Sequence, residues 1–419
     1  MKERYPRKYS DKLERLEKTA SLEKTDRVPL AAATIYFPAK FSDISYEDMF
    51  FEHESYTEAA KNFADEFDWD AVCFLRTFES VTLGLSLAGE SPSTAINVAI
   101  SSVLGGGFTA DILSDVYSSH PGRELAANEE GQFTIEDTLM DDDEYDKFIE
   151  DPMGFLSREI VPRAYENLQD PTSAGAKTAL IELGKEINNN LPEVMEFYKE
   201  MVEYDCPPWY CALAPNPLDF LGAFIRNFDK LLKDLYRYPN QIKELCEILT
   251  PILTKVGLET GKISAELTGS KRIFCPVWYN TYLSPEMYEE FHWNYLKQMA
   301  EEFIEEGFTP LFSFQGEHEH HLESILDLPA GEAIAWFDKT DLGKAKEVVG
   351  EHSCIAGGIN PSLLISGSEG KVGKEVEDII KEMKNCEGFI FTLPFNAIGD
   401  AKIKNVKKMT ETVFAKGKY

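Results

Sequence analysis

The chain has 419 residues, 43% of them apolar, which is enough to bury a large core and excludes a disordered or fibrous protein. Seventy-three acidic residues against forty-two basic ones leave a formal charge of −31. Such a field repels phosphate backbones, so nucleic acids and anionic membrane surfaces are poor partners.

The opening "MKERYPRKYSDKLERLEKT" is densely charged. It has neither the apolar centre of a signal peptide nor the acid-poor composition of a transit peptide, which predicts a cytoplasmic protein. From Arg27 onward short apolar runs recur, most of them followed by helical pattern. They are "RVPLAAATIYF" (27–37), "WDAVCFLRTF" (69–78), "WYCALAPNP" (209–217), "RIFCPVWYN" (272–280), "TPLFSFQG" (309–316), "AIAWFD" (333–338), "SCIAGGIN" (353–360) and "GFIFTLPFN" (388–396). Eight such strands with helices between them predict a closed (β/α)8 TIM barrel, class α/β, with a doubly wound open sheet as the alternative. The barrel is expected to take in residues 1–419 as a single domain.

The second and third runs are far apart, and residues 80–208 predict a mostly helical insertion between strands two and three. An excursion of that size can act as a lid over the barrel or as a dimerisation element, so a homodimer is one expectation. Within it, 91–110 is uncharged until its end, yet Pro92, Asn97, several serines and "GGG" at 105–107 break the continuous apolarity of a membrane helix. A helix followed by a turn is expected there. "DDDEYD" (141–146) lacks the glycine and closing glutamate of a calcium loop and predicts a solvated helix start. Seven cysteines without a CxxC pair predict reduced, mostly buried thiols.

Further on, "NPLDFLGAFIRNFDKLLKDLYRYPNQIKELCEILTPILTKVGLETG" reads as two or three helical pieces punctuated by Pro239 and Pro251. "SPEMYEEFHWNYLKQMAEEFIEEG" predicts one helix that opens at Ser284-Pro285 and stops at Gly307.

In a barrel of this kind chemistry belongs where strands end. The strand-end residues are Tyr36 and Phe37; Arg76, Thr77 and Glu79; Asn216; Trp278, Tyr279 and Asn280; Gln315, Glu317 and His318; Asp338; Asn360; and Phe395 with Asn396. This set is aromatic and rich in amides. Arg76 is the one arginine of eleven that falls at such an end, which argues against a substrate with many carboxylates. The aromatic side chains suit a flat apolar ring, or else they pack beneath a loop. "GEHEHH" (316–321) offers carboxylate and imidazole ligands for zinc, although its spacing is not HExxH; a solvated turn with one inward histidine is the other reading. Glu317 and His318, nearest the strand end, are the pair expected to point inward.

The order of several segments resembles the uroporphyrinogen decarboxylase superfamily. They are "LEKTDRVPL", "SPEMYEEFHWNYLKQM", "EGFTPLFSFQG", "DKTDLGKAKEVVG", "CIAGGINPSLL" and "GFIFTLPFNAIGDAKIKNVKKM". The resemblance implies the same (β/α)8 barrel and two kinds of activity: cofactor-free porphyrinogen decarboxylation, or methyl exchange with a corrinoid (cobalamin) on a carrier protein, usually with zinc. The arginine-rich segment that decarboxylases carry after the first strand is "ATIYFPAKF" here, and their Asp after the second strand is replaced by "FLRTFES". The methyltransferase branch therefore resembles this chain more closely, with one departure. Its His-x-Cys and later Cys zinc ligands fall on Ser313, Gln315 and about Phe395.

The resemblance thus implies transfer of a methyl group from a small methylated substrate, an aromatic methyl ether being the favoured class (O-demethylation), to the corrinoid of a partner. Glu317 and His318 are the expected catalytic groups and, if zinc is bound, its ligands. Tyr36, Arg76, Asn216, Trp278, Tyr279, Asn280, Gln315, Asp338, Asn360 and Asn396 are the expected substrate-binding residues. A cofactor-free decarboxylase and a non-catalytic barrel of the same family are the alternatives.

Overall fold

The structure, a computed structural model, describes residues 4–73, 81–105, 107–133, 138–395 and 398–419. Among the described residues there are eight parallel strands: β1 (Ala31–Ala33), β2 (Ala71–Cys73), β3 (Ala212–Leu213), β4 (Arg272–Val277), β5 (Thr309–Phe314), β6 (Ile334–Phe337), β7 (Cys354–Gly357) and β8 (Phe389–Phe391). Strands β3 to β8 pair in order and β1 pairs with β2. Single bridges close the two remaining seams. At one, Phe391 N–H donates to the Pro29 carbonyl at 2.9 Å; at the other, Val72 N–H donates to the Pro207 carbonyl at 2.9 Å and Trp209 N–H to the Val72 carbonyl at 3.0 Å. Pro207 and Pro208 have no N–H to give, which limits that seam to a bridge. The ring is the expected (β/α)8 barrel. Several strands are shorter than the apolar runs that foretold them, because prolines at 29, 207, 208, 215 and 217 remove ladder donors at their ends.

Alternation along the strands divides the rings into two sets. Trp209, Phe274, Trp336 and Phe395 come from four different parts of the ring and meet inside it. Phe274 stacks on Phe395 at 5.4 Å, and Trp336 lies 5.9 Å from Phe274, 6.1 Å from Phe395 and 6.3 Å from Trp209. The barrel is therefore a packed core with Phe395 as its upper layer. Residues of opposite parity face the helices: Phe312 packs edge-on against Trp293, and Phe314 stacks on Phe337.

The helices follow their sequence signals with informative exceptions. Helix α1 (Arg7–Ala20) buries Tyr9, Leu13, Leu16 and Ala20, a helical spacing, and closes the lower end of the barrel. Helix α2 (Ala174–Glu203) ends the insertion, whose described parts also include the helices Val81–Leu87 and Pro92–Gly105 and a two-stranded hairpin, Ser118–Ser119 with Gln132–Phe133. Helix α3 (Pro239–Thr268) runs unbroken through Pro251, where a break was expected. An interior proline costs about 3 kcal/mol, and the apolar face on both sides of it, Leu245, Leu249, Leu253 and Leu258, is buried deeply enough to offset that.

The predicted 284–307 helix forms as helix α4 (285–305), capped by Ser284 Oγ on Met287 N–H at 3.3 Å and ended at Gly307 with φ +79°. It contains a π turn at Glu289–Trp293 that its sequence pattern did not announce. "DDDEYD" does open a helix, Tyr145–Glu150, with Asp141 to Asp143 exposed, but Glu144 is buried against Arg163 at 2.6 Å. All seven cysteines are free and buried. Among the described residues no helix is long and apolar enough to cross a membrane.

Candidate functional site

The C-terminal ends of the strands form a mouth whose floor is the Phe395 ring, half-buried above Phe274. Trp278 lies just past β4, four residues after Phe274, on the inward side by alternation, and is half-buried. Gln315 and Asp338, also half-buried, follow β5 and β6. Their backbones are fixed: Gln315 N–H donates to the Val277 carbonyl at 3.1 Å, and Asp338 N–H to the Phe314 carbonyl at 3.2 Å. Asp338 Oδ2 accepts from Gly316 N–H at 3.1 Å. Gly316 has φ +70°, and a Cβ there would lie 2.4 Å from Thr281 Oγ1, so only glycine lets the β5 loop turn this tightly.

On the β1 side, Tyr36 is buried. Its ring packs on Tyr46 at 4.9 Å and its hydroxyl accepts from Gly131 N–H at 2.9 Å. The insertion comes down on this corner, with Glu47 N–H donating to the Ala127 carbonyl at 2.9 Å and Tyr46 N–H to Asn128 Oδ1 at 3.3 Å. Burial, with Glu130 and Asp400 nearby, pushes the Tyr46 hydroxyl up to about 12.

The structure divides the expected site residues into three groups. Trp278, Gln315 and Asp338 reach the mouth. Tyr36 borders it beneath the insertion. The others that are described do not face it. Asn216 and Asn360 are helix N-caps, accepting from Leu218 N–H at 2.8 Å and Ser362 N–H at 2.9 Å. Tyr279 points the opposite way from Trp278 and stacks on Phe228 at 4.3 Å. Asn280 is fully buried, its amide 3.2 Å from His318 Nδ1. Arg76 and Asn396 lie outside the described residues, as does Glu79.

The inward-facing Glu317 and His318 pair does not form. Glu317 is exposed, whereas His318 is fully buried on the helix side of the sheet, stacked on the outward ring of Phe314 at 3.7 Å and 5.5 Å from Tyr288. The cause is the turn at Gly316, which carries the chain over the rim before His318. Burial, followed by His321 and His292, holds the His318 imidazole well below its ordinary pKa. Its Nδ1 accepts from the Asn280 amide, which leaves the proton on Nε2 in the neutral ring.

Two residues that the strand-end reasoning missed support this wall. Asp219, on the short helix after β3, and His292, in the π turn of α4, are both fully buried and 2.7 Å apart. Asp219 Oδ1 also accepts from Trp278 N–H at 3.0 Å, so the pair positions the backbone that presents Trp278 to the mouth. The acid in "NPLD" marks a helix first turn; its partner, 73 positions later, leaves no local signal.

Glu317 and His318 were the ligands expected if zinc is bound, and this pair does not suit that ion. One side chain is in solvent and the other is enclosed by rings. Among the described residues no three His, Cys, Asp or Glu side chains are grouped so that they can hold a metal ion.

Comparison with known proteins adds an independent observation. The family model described as Uroporphyrinogen decarboxylase (URO-D) matches residues 179–415. A uroporphyrinogen decarboxylase of Coxiella burnetii (strain RSA 493 / Nine Mile phase I) is 26% identical over 182 residues, 43% of this chain and 48% of that protein. One from Helicobacter pylori (strain P12) is 27% identical over 221 residues, 52% and 60% respectively. The chain thus spans about half the length of the curated relatives it matches. A solved methyltransferase from Methanosarcina mazei superposes with a TM-score of 0.62 over 96% of this chain and 98% of that one, at 13% identity, a likeness of fold. With more than half of its length matched by the family model, this chain belongs to the uroporphyrinogen decarboxylase (URO-D) family.

Proposed function

We propose that this chain is a methyltransferase of the family, moving a methyl group from a small methylated substrate, with aromatic methyl ethers as the leading class, to a corrinoid held by a partner protein. The observation that carries the reading is the aromatic mouth. Phe395 over Phe274 offers a flat apolar floor, Trp278 a ring at the side, and Gln315 and Asp338 the polar groups that orient a substrate oxygen. A porphyrinogen bearing many carboxylates calls for fork-shaped cationic donors, and none of the five described mouth residues supplies one.

A reduced corrinoid on its carrier would supply the nucleophile for the methyl carbon, and the substrate oxygen would keep the electron pair of the broken C–O bond, leaving as a phenolate that is protonated on release. The chain's own part is to hold the substrate ring on Phe395 and Trp278, and to keep water from the reacting bond. The insertion contributes to the exclusion of water, because its 127–131 segment, hydrogen-bonded to the β1 corner, is a cover for the single barrel domain.

Cofactor-free decarboxylation is the second reading, favoured by the names of the curated relatives. One experiment separates the two. The purified protein is incubated with a reduced corrinoid carrier and a panel of methoxyarenes while the cobalt spectrum is followed, and in parallel with uroporphyrinogen under reducing conditions. Methyl transfer is expected with at least one donor and to fall about tenfold or more in Trp278→Ala, from loss of ring contact. Conversion of uroporphyrinogen without any change in the cobalt spectrum would replace the proposal with the second reading.

A further inference from the structure

A second concavity lies outside the mouth, along the flank of β3 between α2 and α3. Its volume is about 390 Å3. One wall is the face of α3 from Leu253 through Val256 and Thr260 to Leu267, a length of roughly 20 Å at the helical rise per residue. The facing wall is α2 at Leu191, Val194, Met195 and Tyr198, and the base is the chain from Tyr210 to Leu213. Val81, Leu85 and Ala95 also line it, and Arg4, Glu266 and Leu267 border the end by the α3 C-terminus. Met195 and Ile263 form half-open lips, 45% and 44% exposed. The shape is a slot, long in one direction and apolar along its length.

Its polar groups are unevenly distributed. Thr260 Oγ1 and Ser264 Oγ are buried without hydrogen-bond partners, and Ser264 is only 8% exposed. Thr260 lies midway along the wall and Ser264 toward the Arg4 end. There the Arg4 guanidinium donates to the Glu266 carbonyl and lies over the Tyr5 ring at 5.6 Å. The Glu266 carboxylate is exposed on the same rim and opposes a highly charged anion. Elsewhere in the lining, Cys73 Sγ is bonded to Tyr210 Oη at 2.8 Å. A buried hydroxyl without a partner costs free energy that a ligand oxygen would recover, and an apolar slot filled with water forfeits the burial that an alkyl chain would provide.

We propose that this slot binds a single straight-chain amphiphile, a long-chain fatty acid or fatty alcohol. The alkyl tail lies along β3 toward Val81 and Leu85, and the oxygen head lies beside Ser264 and Arg4. The length of the slot selects a chain over a compact ring, and the placement of the hydroxyls selects the orientation. Tyr210 of the slot stacks on Phe274 at 4.7 Å, beneath the mouth floor, so the two concavities are neighbours, and the test of this one does not depend on methyl transfer.

The test uses the full chain and the intrinsically fluorescent fatty acid cis-parinaric acid, displaced in turn by palmitate, hexadecanol and a methoxyarene. Saturable binding at one site is expected, with displacement by palmitate and hexadecanol. Val256→Trp, which fills the middle of the slot, is expected to weaken binding about tenfold or more, and Met195→Glu, at the exposed lip, to do so without touching the core. Circular dichroism confirms that each variant is folded. Arg4→Ala is expected to weaken palmitate about threefold and leave hexadecanol unchanged, which distinguishes the two head groups. Absence of binding, affinity unchanged in a folded Met195→Glu, or displacement by the methoxyarene as effective as by palmitate would each overturn the proposal.

Discussion

Two buried polar groups at opposite ends of the barrel are built on different principles. At the lower end Asp70, fully buried, uses both oxygens completely. Oδ1 accepts from Arg15 at 2.6 Å and Arg27 at 3.0 Å, and Oδ2 accepts from Arg27 at 2.6 Å and from Leu30 N–H at 2.8 Å. Arg15 in turn grips Asp26 at 2.6 Å, so the start of β1 is fastened to the start of β2. Near the mouth, the wall behind β4 and β5 has four buried polar atoms without a partner: Asn280 Oδ1, Tyr288 Oη, His292 Nδ1 and His318 Nε2. The comparison teaches that one fully bonded acid fastens the strand starts, whereas the wall behind the mouth keeps a cluster of ring and amide groups unspent; single orphan hydroxyls such as Ser264 Oγ and Ser270 Oγ occur at the lower end as well. A barrel's lower face holds the fold together, and its upper face serves the site.

The contrast can be broken most forcefully at Asp70. Asp70→Ala leaves the Leu30 N–H unpaired and takes from Arg15 and Arg27 their one fully buried acceptor, Arg15 keeping only Asp26 and Arg27 the Val28 carbonyl, and is expected to cost about 3 kcal/mol, read as a lowered midpoint in denaturant unfolding. A midpoint unchanged within error would show that the fastening is decorative.

His318 sharpens the other side. Its folded pKa is depressed below the unfolded value near 6.5, so the unfolded chain binds the extra proton. Stability is therefore full above that pH and declines as pH falls below it, by roughly tenfold in the folding constant per unit for this one group. His321, also shifted down by burial, adds in the same direction. Unfolding curves between pH 7.5 and 5 should flatten in His318→Asn; equal slopes in wild type and variant would remove His318 from the account.

The smallest effect expected is at Asn360. Asn360→Ala should cost about 1 kcal/mol from the lost cap on an exposed helix start, with methyl transfer untouched. A fall in turnover there without a fall in stability would return Asn360 to the site.

The barrel was legible because its signals are local and repeated: eight apolar runs, Ser284 before Pro285, Gly307 after α4. The site was less so, for identifiable reasons. Asn216 and Asn360 each precede a proline, a pair that starts helices, and at a strand end that signal is easily taken for an amide aimed at substrate. Trp278 and Tyr279 are neighbours in sequence and face opposite sides, so only one of two adjacent rings can serve the mouth. His318 was misplaced by a single backbone turn at Gly316, which no count along the chain anticipates. Trp278, Gln315 and Asp338 were reached by strand-end counting alone, since each directly follows the last paired residues of its strand.

The π turn of α4 has a consequence for how this helix tolerates change in length. Its wide loop accommodates one residue more than an α-helical turn would, and His292 is inside it. Deleting a single residue between Glu289 and Trp293 would restore regular winding and leave everything after it close to its present angle, because the wide turn already absorbs the additional residue. Leu296, Met299 and Phe303 would then keep their places in the core, while His292 would be drawn away from Asp219. One short loop thus takes up a difference in length, and a deletion there weighs on the wall behind Trp278 more than on the packing of the remaining helix.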